Sequence, residues 1–146
     1  NNNVMIFQAP GYVSILNEMV HNVRVIPLGN GTDKPPFSQY SGLSRGHFEG
    51  NTLVVETTQF KGGQSRGTGP NMHLIERFTR LDSDTVAYEF TVTDETVYTA
   101  PYTALMPLRR TDGNLFEYAC HEGNIGMHGI LAGARKLESE GRELRR

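Results

Sequence analysis

In the run Thr85 to Thr93, Val86, Tyr88, Phe90 and Val92 alternate with Thr85, Ala87, Glu89, Thr91 and Thr93. A period of two is satisfied only by an extended strand that buries one face, because successive side chains in a strand point to opposite sides. Asp82-Ser83-Asp84 just before it supplies a tight polar turn. The β-branched run Met72 to Leu81 precedes that turn, so 72–81 and 85–93 are expected to form an antiparallel hairpin.

The same punctuation recurs along the chain. Thr52 to Phe60 reads as a strand entered from a Gly50-Asn51 turn, and Val4 to Ala9, Pro10-Gly11 and the segment from Tyr12 onward read as a further hairpin, with Val23 to Leu28 adding another strand. Ile15, Leu16, Met19, Val20 and Val23 also fit helical spacing. The strongly β-prone flanks Tyr12-Val13 and Val23-Arg24-Val25-Ile26 favour strand, turn, strand instead. Tyr102 to Arg109 is a short apolar run carrying Pro107 and preceded by Pro101. Proline has no N–H for a ladder, which places this strand at an edge or a bulge. Thr111-Asp112-Gly113-Asn114 then predicts a turn into a strand over 115–121. Gly29 to Leu43 and Lys61 to Asn71 are long Gly- and Pro-containing loops, the kind that serve as lids or binding loops. Gly129 to Arg146 is the one helix expected, with Ile130, Leu131, Ala134 and Leu137 as its apolar stripe before a Glu/Arg-rich tail.

Eight or nine short strands in meander order with one terminal helix predict a single mainly-β domain over 1–146, an antiparallel up-and-down barrel or strongly curved sheet of lipocalin-like kind. A barrel of that strand number has room for one small ligand. Among the 146 residues, 14 Lys+Arg against 16 Asp+Glu leave a formal net charge of −2, which disfavours a nucleic-acid partner. No apolar run approaches the roughly 20 residues needed to span a bilayer as a helix, so membrane insertion is not expected. Asn1-Asn2-Asn3 lacks the character of a secretion signal, and the chain reads as soluble, mature or shortened.

The candidate chemistry is sparse. Cys120 is the single cysteine, so an intramolecular disulfide and a Cys-type zinc site are both ruled out. On a 115–121 strand, Cys120 shares a face with Phe116 and Tyr118, as an inert core thiol would, while His121 points the other way with Glu117 and Ala119. The glycines at 123, 126 and 129 lack the GxGxxG form and read as turns leading into the helix. His21, His47, His73, His121 and His128 show no tight ligand spacing, so neither a metal nor another cofactor is expected. No serine stands in a G-x-S-x-G elbow.

Acid–base chemistry has more support. Glu18 with His21, His73 with Glu76, and His121 with Glu122 each bring a carboxylate near an imidazole. Glu76 shares its strand face with Leu74 and Phe78, and a carboxylate on an apolar face must be paired, hydrogen-bonded or protonated, which makes it a candidate general acid or base. The competing reading is structural, with Glu76 and Arg80 in a salt-bridge ladder. The candidate polar site is therefore Glu18, His21, His73, Glu76 and His121, and the candidate lining is Phe78, Tyr88, Phe90 and Tyr118. The expected function is binding of a small, largely apolar molecule. A cofactor-free hydrolase, lyase or isomerase on a His/Glu pair is the first alternative, and a structural or homo-oligomerising module the second.

Gly46-His47-Phe48 echoes the G-x-W of lipocalin-type barrels, with phenylalanine at the tryptophan position. The segments GYVSILNEMVHNVRVIPLG, SRGHFEGNTLVVETTQF, LIERFTRLDSDTVAYEFTV and EYACHEGNIGMHGILAGAR together resemble the C-terminal portion of a broad group of uncharacterised bacterial proteins from soil lineages, which commonly carry an export signal and an additional N-terminal region. The resemblance implies export to the periplasm or beyond and brings no activity with it. Asn17 stands where members of that group often have histidine, and Phe48 where they often have tryptophan; the first weakens a two-histidine metal site built on 12–21.

Overall fold

The computed structural model describes residues 2–29, 31, 35–62, 68–119, 121–122 and 125–141. It divides into one unit over Asn1–Phe116 and a second over Glu117–Arg146. The first contains two antiparallel sheets. Strands β1 (Val4–Ala9), β2 (Tyr12–Asn17) and β3 (Val23–Pro27) form the smaller; β4 (Leu43–Glu49), β5 (Thr52–Thr58), β6 (His73–Arg80), β7 (Thr85–Thr93) and β8 (Tyr102–Arg109) form the larger. In both sheets spatial order follows chain order, the up-and-down meander that the turn spacing predicts.

Local chemistry explains the turns. Gly11, at φ 78°, takes the left-handed conformation that closes β1 onto β2. At the β6–β7 turn, the Asp82 carboxylate accepts the Asp84 N–H at 2.8 Å, and the Leu81 N–H donates to the Thr85 carbonyl at 3.0 Å. The 14–23 segment is strand, turn, strand: β2 ends at Asn17, and a single 3-10 turn over Met19–His21 leads to β3. Strand β8, carrying Pro107, is a sheet edge, the first of the two placements its proline allows.

The inner faces of the two sheets meet. Val13, Ile15 and Ile26 from the smaller sheet pack with Leu53, Val55 and Phe78 from the larger in one buried cluster. Glycine is needed at Gly46, since a Cβ there would stand 2.9 Å from the Ile26 side chain. The join between β3 and β4 is one parallel bridge, Leu28 to Gly46. Strands β1 and β8 are sheet edges, so the described residues form two facing sheets rather than one continuous ladder.

Two expectations are corrected. Residues 114–119 have no regular secondary structure and 121–122 form a turn, so the 115–121 strand is absent among the described residues, and with it the face assignments of Tyr118 and His121. Strand-prone residues become a strand only when a neighbouring ladder accepts their backbone groups, and here none does. Cys120 and Gly123 lie outside the described residues. In the second unit, α1 spans Ile125–Ser139 and begins four residues earlier than expected, so Gly126 and Gly129 are helical rather than turn residues.

Candidate functional site

The three-stranded sheet covers only part of the inner face of the larger one. Beyond its cover lies an open cleft of about 640 Å³. Its floor is Leu74 from β6, Tyr88, Phe90 and Val92 from β7, and Tyr102 and Ala104 from β8, all on the inward register of their strands. Phe60, Met72 and Thr68 form one wall, and Arg24 and Ser41 contribute polar groups. Phe60, Met72 and Val92 are a second buried cluster, against which Leu74, Phe90 and Tyr98 pack.

Alternate inward positions on adjacent strands bring aromatic rings into a continuous run. Phe78 stacks on Tyr88 with centroids 4.8 Å apart, Tyr88 lies 5.6 Å from Phe90, and Phe90 meets Tyr102 edge-on at 6.3 Å. Tyr98 extends the run, edge-on to Tyr102 at 5.2 Å. Such geometries each add about 0.5–1.5 kcal/mol beyond the area they bury.

At the inner end of this run sits a buried ion pair. Arg24, on the inward register of β3, reaches across to β6, its Nη1 2.6 Å from Glu76 Oε2 and its Nη2 3.0 Å from Oε1. The Tyr88 hydroxyl donates to Glu76 Oε1 at 2.8 Å. The fork-to-fork pairing suits a planar guanidinium and leaves Arg24 with further N–H donors at the cleft. Burial, then the adjoining Glu76 carboxylate and the hydrogen bond to it, push the Tyr88 phenol well above its ordinary value of 10.0, with Arg24 offsetting part of the rise. Tyr88 is therefore a neutral donor across the physiological range.

Asp94, 2% exposed, anchors the wall. Its carboxylate accepts the Gly69 N–H at 2.8 Å, the Thr96 hydroxyl at 2.5 Å and the Thr96 N–H at 3.1 Å. The Thr96 hydroxyl, then the Gly69 N–H, hold its carboxyl below the ordinary value of 3.8.

The structure separates most of the expected polar site. Glu76 is buried as its strand face predicts, but its partner is Arg24 and not Arg80, whose guanidinium donates to the Asp82 and Ser83 carbonyls. His73 lies three residues from Glu76 and so on the opposite face of β6, its Nε2 2.7 Å from Glu56 Oε1 on the outer surface. The two do not form an acid–base pair. Glu18, 2% exposed, accepts the Asn3 side-chain amide at 2.8 Å and the Phe116 N–H at 3.4 Å, which makes it a tie between the chain's start and the segment after β8. His21 is exposed in the 3-10 turn with φ 52°. His121 and Tyr118 belong to the second unit. Of the expected lining, Tyr88 and Phe90 face the cleft, while Phe78 is a core residue behind Tyr88.

Arg24, Tyr102 and Ala104 were not expected at the site. Arg24 carried a signal, as a cation on the same register as buried Ile26 within an otherwise apolar strand. A second groove of about 660 Å³ runs between β1 and the ends of β7 and β8. Of its charged groups, Arg80 makes the carbonyl bonds above and Arg110 lies within 4.0 Å of Asp84 and 3.9 Å of Asp112. No helix among the described residues is long and apolar enough to cross a membrane.

No family model, characterised protein or solved structure matches the chain.

Proposed function

We propose that the two sheets act as an opened, lipocalin-like barrel that binds a small, largely apolar molecule on the uncovered inner face of the larger sheet. The observation that carries this reading is the aromatic run Phe78, Tyr88, Phe90, Tyr102, Tyr98, which leads from the open cleft to the Arg24–Glu76 pair. A cleft of about 640 Å³ falls within the size range of ligand sites, which are mostly apolar with a few fixed polar groups. Each 100 Å² of apolar ligand surface covered stabilises the complex by about 2.5 kcal/mol, against the cost of association. The Arg24 N–H groups select a ligand with a hydrogen-bond acceptor at its inner end, such as a carbonyl or hydroxyl oxygen, and the rings select a planar or aliphatic body.

The test is a titration with N-phenyl-1-naphthylamine, a neutral apolar fluorophore. Saturable, blue-shifted emission is expected, and Ala104→Trp, which fills the cleft floor, is expected to weaken binding about tenfold or more while leaving the far-UV spectrum unchanged. Absence of saturable enhancement, or wild-type binding by the A104W variant, refutes the proposal.

A further inference from the structure

The outer faces of the two sheets differ in kind. That of the larger sheet is charged: Arg77 Nη2 lies 2.7 Å from Glu49 Oε2, His47 Nε2 3.2 Å from Glu49 Oε1, and His73 pairs with Glu56. The strand register of the smaller sheet places Met5, Phe7 and Ala9 on the outer side of β1, Tyr12, Ser14 and Leu16 on that of β2, and Val23, Val25 and Pro27 on that of β3. None of these side chains carries a charge or an amide, and Ser14 is the only small polar residue among them. Met5, Phe7, Tyr12, Val23 and Val25 are 37–56% exposed. An antiparallel sheet with one face on the core ordinarily turns polar residues to water on the other. A contiguous apolar patch of several hundred Å² marks an interaction surface.

We propose that this face is the interface of a homodimer, in which the three-stranded sheets of two copies pack against each other. Self-pairing is favoured because the face carries no charge, so a copy of itself meets it without like-charge repulsion, whereas a charged partner would leave its ionic groups desolvated and unpaired. The face is a sheet surface rather than a cavity, which gives a small molecule no enclosure. Area supports the same choice. Three strands about 4.8 Å apart and about 20 Å long have a flat footprint of about 300 Å², and the half-exposed side chains of Met5, Phe7, Tyr12, Val23 and Val25 that stand on it raise its accessible area to about 500 Å². Two copies then bury about 1,000 Å², the lower bound for a specific interface, at the roughly 10 Å spacing of packed sheets. The register also accounts for the serine. Phe7, Ser14 and Val25 form one row across the sheet with Ser14 at its middle, on the central strand. A two-fold axis along that row sets the two Ser14 hydroxyls opposite each other, about 5 Å apart at that sheet spacing, a gap that one bridging water fills.

Sedimentation velocity of the full 146-residue chain over a concentration series tests this. A reversible dimer is expected. Ser14→Glu and Ser14→Lys each bring two like charges together at the axis and are expected to be monomeric, while an equimolar mixture of the two regains the dimer mass. Val25→Glu, at a more exposed position, is expected to be monomeric as well and serves if the Ser14 variants lose the wild-type far-UV spectrum. Thr91→Glu, on the charged outer face, leaves the dimer intact. A wild-type chain that stays monomeric throughout, a dimer that survives S14E and V25E, or a mixture of folded S14E and S14K that stays monomeric overturns the proposal. Probe binding in the cleft is measured separately and is unaffected by either result.

Discussion

Replacing Arg24 by methionine removes the guanidinium while keeping an unbranched apolar stem in its place. Glu76 then loses two charge-assisted hydrogen bonds and keeps the one from Tyr88. The side chains of the pair are 15% and 4% exposed, so water can do little to replace the lost partner. Breaking a buried ion pair from one side costs about 3–5 kcal/mol, because the remaining charge stays desolvated. Against a typical total stability of about 5–15 kcal/mol that is a large share, and at about 4 °C per kcal/mol it corresponds to a fall in Tm of about 12–20 °C. Urea unfolding followed by far-UV circular dichroism measures it, with an unchanged m-value showing that the same surface is exposed. The double variant R24M/E76Q separates charge from packing. The amide oxygen introduced at position 76 still accepts the Tyr88 hydroxyl and no buried charge remains, while its unpaired N–H groups cost about 1–3 kcal/mol, so the double variant should be more stable than R24M and less stable than wild type. If R24M costs less than about 1 kcal/mol, or if R24M/E76Q is as unstable as R24M, then Glu76 is not held in the core by the guanidinium, and the inner end of the cleft has been misassigned.

Tyr88→Phe removes a hydrogen bond to a charged group and should cost about 1.5 kcal/mol at neutral pH. Because folding raises the Tyr88 phenol above 10.0, wild type holds its full advantage below pH 10 and loses it as pH rises beyond that value. The stability gap between wild type and Y88F, measured by denaturant unfolding, is therefore constant below about pH 10 and narrows above it; a gap that widens contradicts the assignment. Gly42→Ala should be far more damaging than Gly50→Ala, although both glycines have positive φ, 67° and 61°. A Cβ at Gly42 would stand 2.6 Å from Thr57 Cγ2 and 2.8 Å from the Thr58 carbonyl oxygen, while one at Gly50 meets nothing within 4 Å. Thermal unfolding should give about 1–2 kcal/mol for G50A, from backbone strain alone, and about 2–4 kcal/mol for G42A.

Much of the fold was legible because its elements are local. The alternation over Thr85–Thr93, the Asp82–Asp84 and Pro10-Gly11 turns, and the prolines of β8 each report on backbone geometry within a few residues, and the ladders follow from them. The same period of two also held part of the answer about the site. Glu76 was rightly set with Leu74 and Phe78, and an offset of three residues already places His73 on the other face. Grouping them as an acid–base pair relied on nearness in sequence, which a strand does not translate into contact. The 115–121 expectation failed for a related reason: Phe116 and Tyr118 are strand-prone, but propensity is expressed only where a ladder receives it.

Seven of the eight strands among the described residues, their meander order, and the inward side chains of 72–81 and 85–93 were therefore set by local pattern, because hydrogen-bonding geometry and the two-residue period are properties of short segments; β4 was not read as a strand, and the division into two sheets was not foreseen. Tertiary structure alone decided that the smaller sheet covers only part of the larger, which creates the cleft, and that Arg24 meets Glu76 across 52 positions of chain. Those outcomes depend on how two whole faces pack and where one of them ends, and no local pattern encodes either.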